Sequence, residues 1–151
     1  MAERPKADVR DVVRVVLVDR RNRVLLLRII DAEGRLAWGL AGGGVEAGET
    51  DHETAIRELI EEFDLTAVQI GPLVSKREHV FPVGGRPTLW RERHYFASLE
   101  SGRVTHEQAR WWTVAELNRS RARFAPSRLR TVLALVLVEG PPQEPVDLGH
   151  V

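Results

Sequence analysis

The sequence contains no cysteine, which excludes disulfides, thiolate nucleophiles and cysteine-ligated zinc. Lysine is almost absent: only Lys6 and Lys76 occur, so arginine carries nearly all the positive charge. The longest apolar run, Val132–Val138, is far short of the roughly 20 residues that span a bilayer. The opening residues MAERPKADVRD lack the apolar stretch of a secretory signal. Internal repeats and low-complexity segments are also missing. These absences lead to the expectation of a cytoplasmic protein with no membrane partner.

What is present fits one globular domain. The 151 residues, 43% hydrophobic and 29% charged, can enclose a single core but not two. A formal net charge of zero hides a segregation. Eight carboxylates lie between Glu46 and Asp64 with Arg57 the only cation among them, leaving the remainder of the chain at about +7. Arginine's planar fork suits phosphate oxygens. The basic residues are nonetheless dispersed, and without a reader motif no nucleic-acid partner is expected.

Hydrophobic patterning predicts β-strands over Val9–Val18 and Val24–Ile30 joined by the turn Asp19–Arg23, and a short strand at Leu36–Leu40. The glycine run Gly42–Gly44 reads as a loop where backbone bends or approaches something closely. From Thr50 to Phe63 the spacing of Ile56, Leu59, Ile60 and Phe63 predicts a one-faced helix attached to the sheet by those four residues, with Thr50 or Asp51 as N-cap. Further strands are expected at Thr66–Arg77, Thr88–Leu99 and Ala109–Thr113, a helical turn at Val114–Asn118 and a helix at Ser127–Val138. Gln143–Val151 reads as a tail.

On the acidic helix Glu58, Glu61 and Glu62 fall within an arc of roughly 100°. Like charges at this spacing oppose helix formation, and acids near a helix C-terminus face the unfavourable pole of its dipole. A hard divalent cation removes the conflict, and Mg²⁺ or Mn²⁺ favours such oxygen ligands. Taken alone, an ELIEE run is also an ordinary solvated face. The glycines in front of it, with Glu46 and Glu49 spaced among them, set this stretch apart.

Written as G43-x5-E49-x7-R57-E58-L59-x-E61-E62-x-D64-L65, the segment resembles the signature box of the Nudix family at eight of nine specified positions. Asp64 stands where the family has glycine, and Ala41 where proline often precedes the double glycine. Aspartate tolerates the left-handed turn better than most side chains, so a small local cost is expected. The resemblance implies an α/β fold, an α/β/α sandwich with a mixed β-sheet between helices. It places one domain at residues 1–140 and a tail at 141–151. It also implies an enzyme: a hydrolase of the pyrophosphate linkage in a nucleoside diphosphate linked to another moiety X, dependent on Mg²⁺ or Mn²⁺. A homodimer is a reasonable assembly on the same ground. The rival reading is a non-catalytic nucleotide-binding module, which retention of Glu49, Glu58, Glu61 and Glu62 disfavours.

Carried over residue by residue, Glu61 and Glu62 are metal ligands, Glu58 is a ligand or the general base, and the carbonyl of Gly42 completes the coordination. Arg57 orients the carboxylates by pairing with Glu49 or Glu58. Glu107 is a candidate further ligand or base, with Glu92 its competitor. Arg77, Arg91 and Arg93 are candidate phosphate contacts. Trp90, like Trp38 and Tyr95, could stack on a base, although aromatic residues in strands more often belong to the core. His79 and His94 read as structural. The substrate stays open between a nucleoside triphosphate and a nucleotide sugar such as ADP-ribose.

Overall fold

The computed structural model describes residues 8–150; residues 1–7 and Val151, which include the start of the expected domain and the end of the expected tail, lie outside them. Strands β1 (Asp8–Val18) and β2 (Val24–Ile30) form a hairpin, followed by the short β3 (Leu36–Gly39) and β4 (Ala41–Gly44). Helix α1 (Asp51–Phe63) comes next, then β5 (Val68–Val80), β6 (Thr88–Leu99), β7 (Ala109–Trp112), α2 (Val114–Arg119), α3 (Leu129–Glu139) and β8 (Val146–His150).

All eight strands join one mixed sheet with the path β3-β2-β1-β6-β5-β8, β4 pairing with β1 and β7 with β2. The β1–β6 and β5–β8 pairs are parallel, the others antiparallel. Alternation along β1 feeds two cores. Val13, Val15 and Leu17 pack with Ala55, Leu59 and Phe63 of α1, whereas Val16 packs with Leu129, Leu133 and Val136 of α3. Helices therefore cover both faces, as period-two strands with two apolar sides require. Among the described residues no helix is long and apolar enough to cross a membrane.

Three readings of the sequence are corrected. The glycine run is not a loop but β4, with Arg14 opposite Gly42 and Val13 opposite Gly43; lacking side chains, it gives no alternation from which a strand could be read. The expected tail contributes β8, paired with β5 from Ser75 to Glu78. Its pairing is made by backbone groups of a distant strand, which local pattern does not report. In α1 the buried stripe runs through Ala55, Leu59 and Phe63 with Thr54, while Ile56 and Ile60 are 43% and 41% exposed. The helix is rotated so that Glu58 and Glu62, not the two isoleucines, flank the stripe toward β4.

Local signals fix the ends of α1. Thr50 accepts from the Glu53 N–H while Glu53 accepts from the Thr50 N–H, a reciprocal capping box. At the other end Asp64 takes the left-handed conformation, φ 55° and ψ 35°, and its N–H reaches the carbonyls of Leu59 and Ile60. Aspartate fills the glycine position at a cost, and its charge faces the negative helix end. Replacing Asp64 with glycine is expected to raise unfolding free energy by about 0.5–1 kcal/mol in urea titrations. In the same assay Leu59→Ala should cost about 2–5 kcal/mol and Ile60→Ala less than about 1 kcal/mol; equal losses would refute the rotated stripe.

Candidate active site

The site grows from the turn between β4 and α1. Glu49 receives hydrogen bonds from the Glu46 N–H at 2.9 Å, the Thr54 hydroxyl at 2.9 Å, and Arg57 Nε and Nη2 at 2.7 and 3.0 Å. The Arg57 bonds, then the Glu46 amide, hold its carboxyl down at about 2. Arg57 also donates from Nη2 to the Gly44 carbonyl at 2.8 Å. Its Nη1 reaches Glu58 at 3.0 Å and Glu61 at 3.2 Å. One guanidinium thus binds the loop, the start of the helix and two acids of the ridge. Glu46, 66% exposed, is a more distant partner of Arg57 at 3.6 Å.

Beyond this clamp two carboxylates converge. The Glu58 side chain is only 13% exposed and lies against Gly43, where a Cβ would displace its carboxylate; at the neighbouring Gly42, with φ 148°, a Cβ would strike the backbone of Val13 and Arg14. Glu62 is pushed up to about 6, first by burial and then by the adjacent Glu58 carboxylate, while Arg14 and the Gly42 amide pull it down. A neighbouring like charge opposes ionisation of a buried carboxyl in this way. Among the described residues no three acidic or histidine side chains converge in a ready-made cage. An all-oxygen pair with room beside it still fits Mg²⁺ or Mn²⁺, which commonly takes one or two carboxylates and leaves its other positions to water and phosphate. Glu61, 57% exposed and held by Arg57, stands at the outer end of the ridge. From Gly42 it is the amide that is directed at the Glu62 carboxylate, whereas the sequence assigned its carbonyl to a metal.

The far side of the sheet carries a cleft of about 310 Å³ between β1, β5 and β6 and the segment before α3. Ile29, Leu40, Ala125, Pro126 and Leu129 contribute apolar wall, and Arg14, Arg77, His79, Glu92 and His94 line its polar part. Glu92 Oε2 meets His79 Nε2 at 2.9 Å, and Oε1 meets His94 Nε2 at 3.0 Å. Burial opposes ionisation of Glu92, but the two histidine bonds win and its carboxyl falls far below the usual range. Burial lowers His94, so the neutral ring donates from Nε2 to Glu92 and accepts the Ser75 hydroxyl at Nδ1, 2.8 Å away.

The expected substrate residues are not gathered in one place. Arg77 lines the cleft. Arg91 and Arg93 belong to an ion-pair network instead: Arg91 grips Asp11 at 3.1 Å, and Arg93 grips Asp11 at 2.9 Å and Asp51 at 2.6 and 2.8 Å. Tyr95 donates to Asp51 at 2.6 Å, so this network ties the start of α1 to β6. Trp90 donates to the Phe81 carbonyl and stacks on His79 with centroids 6.1 Å apart. Together with Arg93 it borders a shallower hollow of about 730 Å³ beside the glycine strand. Trp38 packs edge-on against Trp112. Glu107 is exposed in the turn before β7, with no hydrogen bond or ion pair among the described residues.

Sequence reasoning missed Arg14. It lines both hollows, lies 3.7 Å from Glu92 and acts electrostatically on Glu62, connecting the acidic ridge to the cleft. Its signal was a cation inside the apolar strand DVVRVVLV. A charge on a buried strand needs a partner or a task.

Comparisons with known proteins agree with this architecture. The family model described as NUDIX domain matches residues 8–135. The chain is 34% identical over 104 residues to the protein called MutT4 in Mycobacterium tuberculosis, a match spanning 69% of this chain and 40% of that protein. It is 37% identical over 73 residues to an RNA pyrophosphohydrolase of Novosphingobium aromaticivorans, spanning 48% of this chain and 45% of the relative. The matches thus span less than half the length of these relatives. A MutT protein from Bacillus halodurans superposes with a TM-score of 0.62 at 23% identity, over 93% of this chain and 89% of that one, which establishes the shared fold. With the family model covering most of its length and the box residues set along α1 and the turn before it, the chain belongs to the Nudix hydrolase family.

Proposed function

We propose that the chain hydrolyses the pyrophosphate linkage of a nucleoside diphosphate linked to a further moiety, with Mg²⁺ or Mn²⁺ as cofactor. The observation that carries this reading is the Glu58–Glu62 pair: two converging carboxylates, one of them raised to about 6, with Glu58 laid against Gly43 of the glycine strand. A relative named RNA pyrophosphohydrolase supports the reaction class.

Glu58 and Glu62 would hold the metal, with Glu61 at the outer edge. When bound, the ion supplies charge neutralisation on phosphate oxygens and acidifies water. Arg57 keeps Glu49, Glu58 and Glu61 oriented. A carboxylate of the same ridge accepts the proton of the attacking water, which must approach in line with the departing phosphate. Arg14, between ridge and cleft, contacts the diphosphate as it passes from one to the other. The cleft, partly apolar and with few polar groups, takes the nucleoside.

Glu62→Gln is expected to lower kcat by at least about 100-fold on nucleotides that the wild-type protein cleaves, with the fold retained by circular dichroism. Wild-type turnover in Glu62→Gln would reject the site. A second expectation concerns pH. The raised Glu62 group contributes stability that is fully present below its unfolded value of 4.5 and is lost as pH rises through about 6. Metal competes with that proton. Added Mg²⁺ should therefore raise the melting temperature clearly at pH 7.5 and little at pH 5, and the difference should vanish in Glu62→Gln. A shift independent of pH would place the ion elsewhere.

A further inference from the structure

Helix α3 is apolar on two sides. Leu129, Leu133 and Val136 are buried in the core beneath it, yet Leu135 and Val138 on its outer side are 52% and 68% exposed. With Thr131 and Ala134 they recur at three- and four-residue spacing and form one outward stripe. A helix that is apolar all round is normally enclosed. Leu135 stands between two hollows, one of about 430 Å³ reaching Val114 and Asn118 of α2 and one of about 280 Å³ reaching Pro141, Pro142 and Val146. A ridge bordered by grooves is the surface into which another helix packs.

Charge says what covers it. From Leu117 to Val138 the chain carries five arginines and no acid. Among the described residues only Arg123 of these has carboxylate partners, Asp31 and Glu33. Arg128 and Arg130 donate to the carbonyls of Asp147 and Ser120, and the second bond, at 2.9 Å, brings Arg130 beside Arg119 and Arg121. The start of α3 and the end of α2 thus form one basic cluster. At the far end Glu139 closes α3 and Glu144 follows, both exposed and without a side-chain partner among the described residues. With no acid in its first turn and no base in its last, α3 carries its charges against its own dipole. A second α3 lying in the opposite direction relieves both ends at once.

We propose that the outer stripe of α3 is the contact of a two-fold homodimer, with the helices of the two copies antiparallel. A two-fold axis makes such a surface its own complement. Each copy's Leu135 enters the other's groove between α2 and α3, and each Glu139 meets the other's arginine cluster. The contact lies on the opposite face of the sheet from α1, away from Glu58 and Glu62, and does not rest on the proposed reaction.

Sedimentation equilibrium of the full chain over the micromolar range, in about 0.15 M salt, should show the mass pass from 17.0 kDa to twice that value. Leu135→Asp and Val138→Asp should each raise the dissociation constant at least about 100-fold, because the contact contains each side chain twice. Glu139→Arg should weaken association at least about tenfold, and adding Arg119→Glu and Arg121→Glu to that chain should restore it. The sequence has no cysteine, so Ala134→Cys supplies a single thiol in the middle of the stripe. Mild oxidation should join two copies of that variant and not of Ile60→Cys on α1. Should an aspartate variant lose its helical circular dichroism, this linkage decides. A wild-type monomer at every concentration overturns the proposal, as does a dimer that survives both aspartates or ignores Glu139→Arg. Binding of a monomer to anionic phospholipid vesicles, lost in Leu135→Asp, would assign the stripe to a membrane surface and overturn it too.

Discussion

The arrangement depends on one ion pair, Glu49 with Arg57. A helix carrying Glu58, Glu61 and Glu62 along one side resists its own charge. The bidentate contact, at 2.7 and 3.0 Å, inserts a cation where the helix begins and leaves that cation free to reach Glu58 and Glu61 with its remaining nitrogen. Because Glu49 also accepts the Glu46 amide and the Thr54 hydroxyl, the loop, the helix start and the ridge form one hydrogen-bonded unit. Glu62 alone stays outside the guanidinium's reach. It is also the acid whose ionisation is most opposed.

The sheet supplies what the helix cannot. β4 has no side chains on its last three residues, so α1 approaches it closely and Glu58 rests on Gly43. β1, paired with both β4 and β6, carries Arg14 across to the opposite face. The acidic ridge and the cleft thus occupy different faces of one sheet, with Arg14 lining the hollows on both sides. A second ionic network, Asp11–Arg91–Arg93–Asp51–Tyr95, fixes the first turn of α1 to β6. Arginines that looked available for phosphate instead hold the helix in place.

The polar floor of the cleft follows the same logic. Glu92, His79 and His94 satisfy one another together with Ser75, as a buried polar group must. Their mutual satisfaction leaves Arg14 loosely paired and the Arg77 Nε without a hydrogen bond among the described residues. The cleft therefore carries positive charge even though it contains a fully ionised carboxylate.

Sequence alone determined the residues of the candidate site and the outline of the fold. Gly43, Glu49, Arg57, Glu58, Glu61 and Glu62 lie within twenty residues, so their spacing along one loop and helix could be read directly. The capping box at Thr50 and the left-handed Asp64 are also local, and both occur where residue type demanded. Strands with strong β-branched patterns were legible for the same reason. Tertiary structure decided the rest. The role of Arg14, the company of Glu92, the pairing of Arg91 and Arg93 and the addition of β8 all depend on which strands become neighbours and in what register. The rotation of α1, which exposes Ile56 and Ile60, was settled by the close approach of Glu58 to a glycine strand. An apolar spacing defines a stripe only to within a residue or two, and the partner surface chooses which edge of that stripe is buried.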